Sequence, residues 1–363
     1  MWWRNLLVLL SHVSCGFSST ECLDVRSEDS IEGLHVVATR AAVDLLIVLL
    51  IVSANAFIVF AILRHQHHKN TERLSSVSVR FALSLAVSDL LVGLSTAYYL
   101  SSKYLCVVVE ALSRLRFLCL FMFVMIICAH AASAYTIVVI AIDRYIAVVH
   151  ALRYRELMST RTSRIMIAIV WICSLCVSTP VFYWNNWSAS EICDEILVVP
   201  VAYLPVMAIL SHCLIMGIVG GFHRRIHREA LASNERKRSR VSGISSFEGR
   251  NSSRFRTKSA KVLLLVTTCY VICWTPITVV MFIRGYSSQS ALVDIVYNYC
   301  FTFLNINYLF NPVVYSWMNP AVRTAILDVF GICKCKKSRS SMSVEHISRQ
   351  STYPSVSTVY SVA

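Results

Sequence analysis

Seven long apolar stretches, at 41–63, 77–100, 116–148, 164–184, 197–222, 259–284 and 291–317, constrain this chain more than any other feature. Each has about the 20 residues that a helix needs to cross ~30 Å of hydrocarbon. Backbone polar groups in lipid must be paired within the protein, so these stretches read as helices rather than open strands. Nearly every one also carries a polar or helix-interrupting residue: Asp44 and Asn55, Asp89, Asp143-Arg144-Tyr145, Trp171, Pro205, Cys273-Trp274-Thr275-Pro276 and Asn311-Pro312-Val313-Val314-Tyr315. A charge at the centre of a membrane helix costs about 2.5–3.5 kcal/mol on insertion scales, so it persists only where something offsets it. The pattern predicts an all-α membrane protein, a seven-transmembrane helix bundle with polar machinery inside it.

Composition agrees: of 363 residues, 56% are hydrophobic and only 15% charged, well short of the charge a soluble domain carries. The net charge of +14 does not point to nucleic acid, because the basic residues gather in connections. They follow the first, third and fifth stretches and the last one, whereas Glu21, Asp24, Glu28, Asp29, Glu32, Glu191, Asp194 and Glu195 lie on the other side. The positive-inside rule places the basic connections in the cytoplasm and the amino terminus outside, as in a multi-pass plasma-membrane protein. The expected organisation is an extracellular segment over 1–40 with a signal-peptide-like start, the bundle over 41–317, and an amphipathic eighth helix over 318–332 opened by Pro320. A disordered cytoplasmic tail follows over 333–363. The connection 223–258, rich in Arg, Lys and Ser, should be mobile.

Cys22, Cys106, Cys119 and Cys193 fall on the outer side, where disulfides persist. Cys333 and Cys335, beside lysines after the last helix, read either as a palmitoylation site or as ordinary reduced thiols. Asn186-Trp187-Ser188 is a glycosylation sequon in an outer loop.

The third stretch contains a ruler. Arg144 follows Cys119 by 25 residues, about 37 Å of helix, so the two mark opposite ends of one crossing. Arg144 stays charged and must be paired or wet, and neighbouring Asp143 can hold it at rest.

With these motifs in order and at compatible spacing, the chain resembles the rhodopsin-like (class A) family of G-protein-coupled receptors over roughly 40–335. The elements are Asn55, the LAVSDL run around Asp89, Cys119, AIDRY ending at Tyr145, Trp171, Cys193, Pro205, CWTP and NPVVY. The resemblance implies a receptor, not an enzyme, that couples an extracellular ligand to a heterotrimeric G protein, with membrane lipids around it. Cys119 and Cys193 would form the outer disulfide, and Cys22 with Cys106 is a candidate second bridge. Asp89, Ser133, Asn307 and Asn311 match the family's sodium pocket; either an allosteric sodium ion with Asp89 and Ser133 as metal ligands or a water-bridged network fits these groups. No other cofactor is implied. Pro276 and Pro312 break helix hydrogen bonds beside Trp274 and Asn311, and in the family such kinks let the sixth helix swing outward, exposing Arg144 and Tyr315. Ser/Thr residues of the tail imply a receptor kinase and arrestin as further partners. The chain departs from the pattern at Cys213, usually a Tyr, and at Arg254-Phe255-Arg256, where an acid often locks the Arg. Both departures imply raised basal activity.

For the ligand, Ile126 stands where amine receptors carry an Asp, and the seventh stretch lacks the Lys that opsins need. DRYIAVVHALRY and STPVFYWNNW lean towards adenosine and melanocortin receptors, as does the position of Asp44. Yet Met281, Thr278, Asn305 and Asp194 replace groups by which adenosine receptors read their ligand, while Glu195 matches. The expected pocket comprises Asp44, Ile126, His130, Glu195, Thr278, Met281, Phe301 and Asn305, with Tyr270 and Tyr297 also facing it, for an adenosine-like small molecule, another small molecule or a peptide. The alternative class is a transporter or channel using the buried acids, but no repeated halves are visible.

Overall fold

The computed structural model describes residues 28–69, 76–187, 193–200, 202–239, 248–286 and 290–331. The helices are α1 (Glu28–Lys69), α2 (Val77–Tyr104), α3 (Cys106–Arg114), α4 (Arg116–Val149), α5 (Tyr154–Leu157), α6 (Thr160–Ser178), α7 (Glu195–Val198), α8 (Tyr203–Ser239), α9 (Glu248–Tyr286), α10 (Ala291–Met318) and α11 (Pro320–Val329). Two 3₁₀ turns, Ala151–Arg153 and Thr179–Phe182, lie before α5 and after α6. Seven of these helices, α1, α2, α4, α6, α8, α9 and α10, are the expected crossings.

Six of them are long and apolar enough to span a membrane by length and composition among the described residues. The exception, α10, is 28 residues long but carries Asn298, Asn305, Asn307 and Asn311. The last three of these amides are buried, so the polarity that dilutes α10 is turned into the protein. Conversely Leu45, Leu46, Leu49, Phe60, Ile169, Ile172, Leu210 and Leu214 are exposed. Such a surface would be a liability in water and suits contact with acyl chains.

The long helix α4 is the spine, packed against α2, α6, α8 and α9. Lipid tails are as apolar as leucine, so helix association there rests on close packing and interhelical hydrogen bonds. Gly93 shows the first: a Cβ placed on it would come within 2.7 Å of Val52 Cγ2 and 3.0 Å of Ile51 Cγ2 on α1. Asn55 shows the second. Pro312 has no N–H for the carbonyl of Tyr308 one turn earlier, and Asn55 Nδ2 donates to that carbonyl at 3.3 Å. The apolar interior forms two clusters, one towards Cys119 and one towards Val148, and Trp274 packs against both.

Three expectations about extent differ from the structure. The first helix begins at Glu28 rather than 41, and the fifth begins at Tyr203 rather than 197, because Glu195–Val198 forms its own turn. The connection 223–258 is largely helical, continuing α8 to Ser239 and starting α9 at Glu248. Its Lys, Arg and Glu are good helix formers, and an existing helix extends without paying for a new nucleus. The short α3 between α2 and α4 was not legible in the apolar pattern. By contrast α11 matches the eighth helix: Pro320 sits at its first turn, the Asn319 side chain accepts from Ala321 N–H at 3.1 Å, and His65 on α1 lies 2.9 Å from Asp328.

Candidate functional site: a cavity between the helices and an ion pair at the far end

At the Cys119 end, Cys119 and Cys193 are joined by a disulfide with Cα atoms 5.9 Å apart, tying the segment before α7 to α4. This positions Glu195 over the bundle. Its carboxylate accepts a hydrogen bond from Tyr297 at 2.6 Å and lies 4.0 Å from Arg284, whose Nε donates to Asp294 at 2.7 Å. The Arg284 guanidinium also lies 4.2 Å from the Tyr297 ring centroid. Burial pushes the Glu195 carboxyl above the usual range, and the Arg284 charge and the Tyr297 hydrogen bond pull against that. The sequence singled out Glu195 but not its partners Arg284 and Asp294. Arg284 closes an apolar helix, and nothing in the spacing says that it turns inward.

Beneath this roof lies a pocket with roughly 910 Å³ of empty space, its open mouth included. Of the expected pocket residues, Ile126, His130, Glu195, Met281, Phe301, Tyr270 and Tyr297 line it, together with Tyr99, Phe123, Tyr135, Met207, Trp274 and Ile277, which the motif reading left out of the expected pocket. Three expected members are placed elsewhere. Asp44 accepts from Thr302 at 2.6 Å and Tyr104 at 3.2 Å, with Arg40 at 3.8 Å, and so knits α1 to α2 and α10. Thr278 Oγ1 donates to the Trp274 carbonyl at 2.8 Å. Asn305 Nδ2 donates to Phe301 O at 3.0 Å. At the floor, Trp274 stacks on Tyr270 at 5.5 Å and meets the His130 ring edge-on at 5.9 Å.

Below Trp274, Ser133 Oγ donates to Asp89 Oδ1 at 2.6 Å and Asn311 Nδ2 donates to Asp89 Oδ2 at 2.8 Å. Asp89 is fully buried, and Asn307, one turn before Asn311, has a buried amide nitrogen with no partner. One carboxylate with neutral hydroxyl and amide oxygens is a donor set that fits a small hard cation. The unpaired Asn307 Nδ2 is a donor, so what it calls for is an acceptor such as water rather than the cation itself.

At the other end of α4, Arg144 donates through Nε to Asp143 Oδ2 at 3.0 Å and through Nη2 to both Asp143 and Ser78 on α2. Asp143 is buried and also accepts from Tyr154 of α5 at 2.7 Å and Ser78 at 3.3 Å. Burial and the Asp143 charge hold the Tyr154 phenol well above its ordinary pKa, so it remains a neutral donor. Tyr145 stacks on Phe222 at 4.7 Å and accepts from Arg225 at 3.1 Å, both on α8. Sequence reasoning found the Asp–Arg pair and missed Ser78 and Tyr154, which lie 65 and 11 residues away.

Pro276 and Pro312 lie inside α9 and α10. Asn186 is exposed, with its N–H bonded to Val198 O at 2.9 Å. Cys22, Cys333 and Cys335 lie outside the described residues, as do the side chains of Cys106, Tyr315 and Arg254-Phe255-Arg256.

The family model described as "7 transmembrane receptor (rhodopsin family)" matches residues 18–315. Similar proteins include a cannabinoid receptor type 1B of Takifugu rubripes, 23% identical over 87% of this chain and 69% of its own length. Alpha-1A adrenergic receptors of Oryzias latipes and Homo sapiens are each 26% identical, over 77% and 80% of this chain and 64% and 67% of theirs. The chain thus spans about two thirds of the length of these relatives. A match across the whole bundle, on a helical fold with an apolar outside and a polar interior, means that the chain belongs to the rhodopsin family of seven-transmembrane receptors, a family of membrane receptors rather than enzymes.

Proposed function

We propose that this protein takes an extracellular ligand into the cavity above Trp274 and activates a heterotrimeric G protein by outward movement of the inner part of α9. The observation that carries this reading is that α4 bears both ends of the device. Ile126 and His130 line the cavity, and Asp143 and Arg144 form the buried pair about four turns further on. Trp274 joins the two halves of the interior, and Pro276, two residues later, gives α9 a weak point about which to bend. At rest Arg144 is held by Asp143 and Ser78. Release would present it to the G protein, with Tyr315 beside it.

The cavity lining favours a small apolar molecule over adenosine or a peptide. Of the positions compared with adenosine receptors, Thr278 spends its hydroxyl on its own helix, Asn305 lies off the cavity lining with its amide N–H bonded to Phe301 O, and Met281 offers no strong hydrogen bond. The amine that an adrenergic receptor's name implies has no acid to meet at Ile126. Transporter and channel readings lose their support to the family match. Asp89, Ser133, Asn307 and Asn311 would hold a sodium ion, which would supply a charge opposite the buried carboxylate. Glycosylation at Asn186, palmitoylation at Cys333 and Cys335, and capture by arrestin after phosphorylation by a receptor kinase complete the proposal, with the amino terminus outside the cell.

The test is G-protein activation in cells expressing the full chain, with and without adenosine and a library of apolar small molecules, against Arg144→Ala. Activation that disappears in Arg144→Ala supports the reading, and a response to adenosine would revise the ligand. Activation that persists in Arg144→Ala would overturn the mechanism.

A further inference from the structure

His130 holds a nitrogen that the protein leaves unfinished. Its Nδ1 lies 2.9 Å from the carbonyl oxygen of Ile126, one turn earlier on α4. A carbonyl only accepts, so Nδ1 carries the proton, and in the neutral ring Nε2 presents a bare lone pair. That Nε2 is buried and has no hydrogen-bond partner, although the residue is only 6% exposed and lines the cavity. The ring faces Trp274, Tyr308 and Phe301 at 5.9, 5.4 and 6.5 Å between centroids, so its surroundings are aromatic. A second lining residue, Tyr99, also has a buried hydroxyl without a partner. A native interior seldom leaves such atoms unpaired unless water or a ligand completes them.

The rest of the lining narrows the ligand. Among the described residues no Lys or Arg lines the cavity, and the one carboxylate that does, Glu195, already accepts from Tyr297 and faces Arg284. Neither a carboxylate nor an ammonium would find a free counter-charge. We propose that the cavity takes a neutral, largely apolar ligand with one hydrogen-bond donor, a hydroxyl or amide N–H, that donates to His130 Nε2. This rests on the reading of the cavity as the ligand site and adds the chemistry by which it selects. A ligand anchored there touches the ring that packs on Trp274, so occupancy is felt where the two halves of the interior meet.

The experiment uses the purified full chain in detergent and a matched pair of flat apolar probes, 2-naphthol and 2-methoxynaphthalene, with affinity read from ligand-dependent thermal shifts. The ether cannot donate. The expected result is a preference of about tenfold or more for the alcohol, the range set by one hydrogen bond to a buried group. The preference disappears in His130→Leu and returns in His130→Gln, whose amide oxygen can accept, while ether affinity stays level. Ala208→Trp, which fills the cavity, abolishes binding of both. The wild-type ratio involves no variant, so it decides the matter even where His130→Leu fails to fold. Equal binding of both probes, lost in Ala208→Trp, would overturn the anchor and leave the cavity as a ligand site, with internal water on Nε2. Survival of the preference in His130→Leu would overturn it too. Binding of neither probe to the wild type would remove both the anchor and the cavity reading.

Discussion

Tyr154→Phe is the sharpest test of the resting lock, because it deletes one oxygen. Asp143 is 1% exposed and holds Arg144 from a position where it also accepts from Ser78 and Tyr154. The Tyr154 bond is 2.7 Å long and goes to a charged acceptor, a class worth about 1.5–3 kcal/mol. Arg144 is 19% exposed, so water takes up part of the loss and about 1–2 kcal/mol is the figure to expect. Suppose that signalling requires Arg144 to leave Asp143 and that the Tyr154 bond to Asp143 breaks in the same step. Weakening the held state by that amount then raises the released population roughly 5- to 30-fold while it remains minor. The assay is ligand-free nucleotide exchange on G protein in membranes, normalised to receptor number. Asp143→Asn, which removes the charge, sets the upper limit. A basal rate in Tyr154→Phe equal to wild type, with Asp143→Asn raised, would remove Tyr154 from the lock. Unchanged rates in both variants would refute the lock itself.

Three further outcomes follow from contacts elsewhere. Gly93→Ala should destabilise the purified protein by about 1–3 kcal/mol through overpacking against Val52, and Val52→Ala should recover most of it in the double variant; additive losses would mean that the helices simply move apart. Replacing choline chloride by sodium chloride should raise the melting temperature of wild type but not of Asp89→Asn, since the proposed ion needs that carboxylate; a wild type indifferent to sodium would leave a water-bridged network in its place. The folded pKa of Glu195 is raised above its reference of 4.5, so the folded state binds the proton more tightly than the unfolded chain. Stability from this group is therefore greatest at low pH and lost as pH rises through the folded pKa. Wild type should gain melting temperature relative to Glu195→Gln as pH falls from neutral towards 4.5, and parallel curves would contradict the buried environment.

The crossings were legible because lipid makes one demand of every residue facing it, and an apolar run of sufficient length records that demand directly. Their ends were less so. Glu28–Lys69 and Tyr203–Ser239 overrun the hydrocarbon at one or both ends, and outside it the residues that continue a helix look the same as those of a solvated loop. The weak signal from α10 has the opposite cause. Asn305, Asn307 and Asn311 lower its apolar character because they face inward, so the stretch least like a membrane helix is the one richest in function.

Within the site, the division runs between relations along one helix and relations across helices. The distance from Cys119 to Arg144 and the adjacency of Asp143 and Arg144 follow from helix rise alone. That Asp44 would be drawn into a network with Thr302 and Tyr104, 258 and 60 residues away, does not. A buried carboxylate reads identically in sequence whether it faces a ligand or is consumed by neighbours, and only its partners decide. The same holds in reverse for His130. Sequence places it in the expected pocket but does not say which ring nitrogen is free; the carbonyl of Ile126 fixes the proton on Nδ1, and the surrounding rings leave Nε2 unpaired. The polar groups of this interior thus differ in whether the protein itself completes their hydrogen bonds. Asn55 completes the carbonyl freed by Pro312 and is structural, whereas His130 Nε2, Asn305 Oδ1 and Asn307 Nδ2 remain open, the first at the proposed ligand anchor and the last beside the proposed ion.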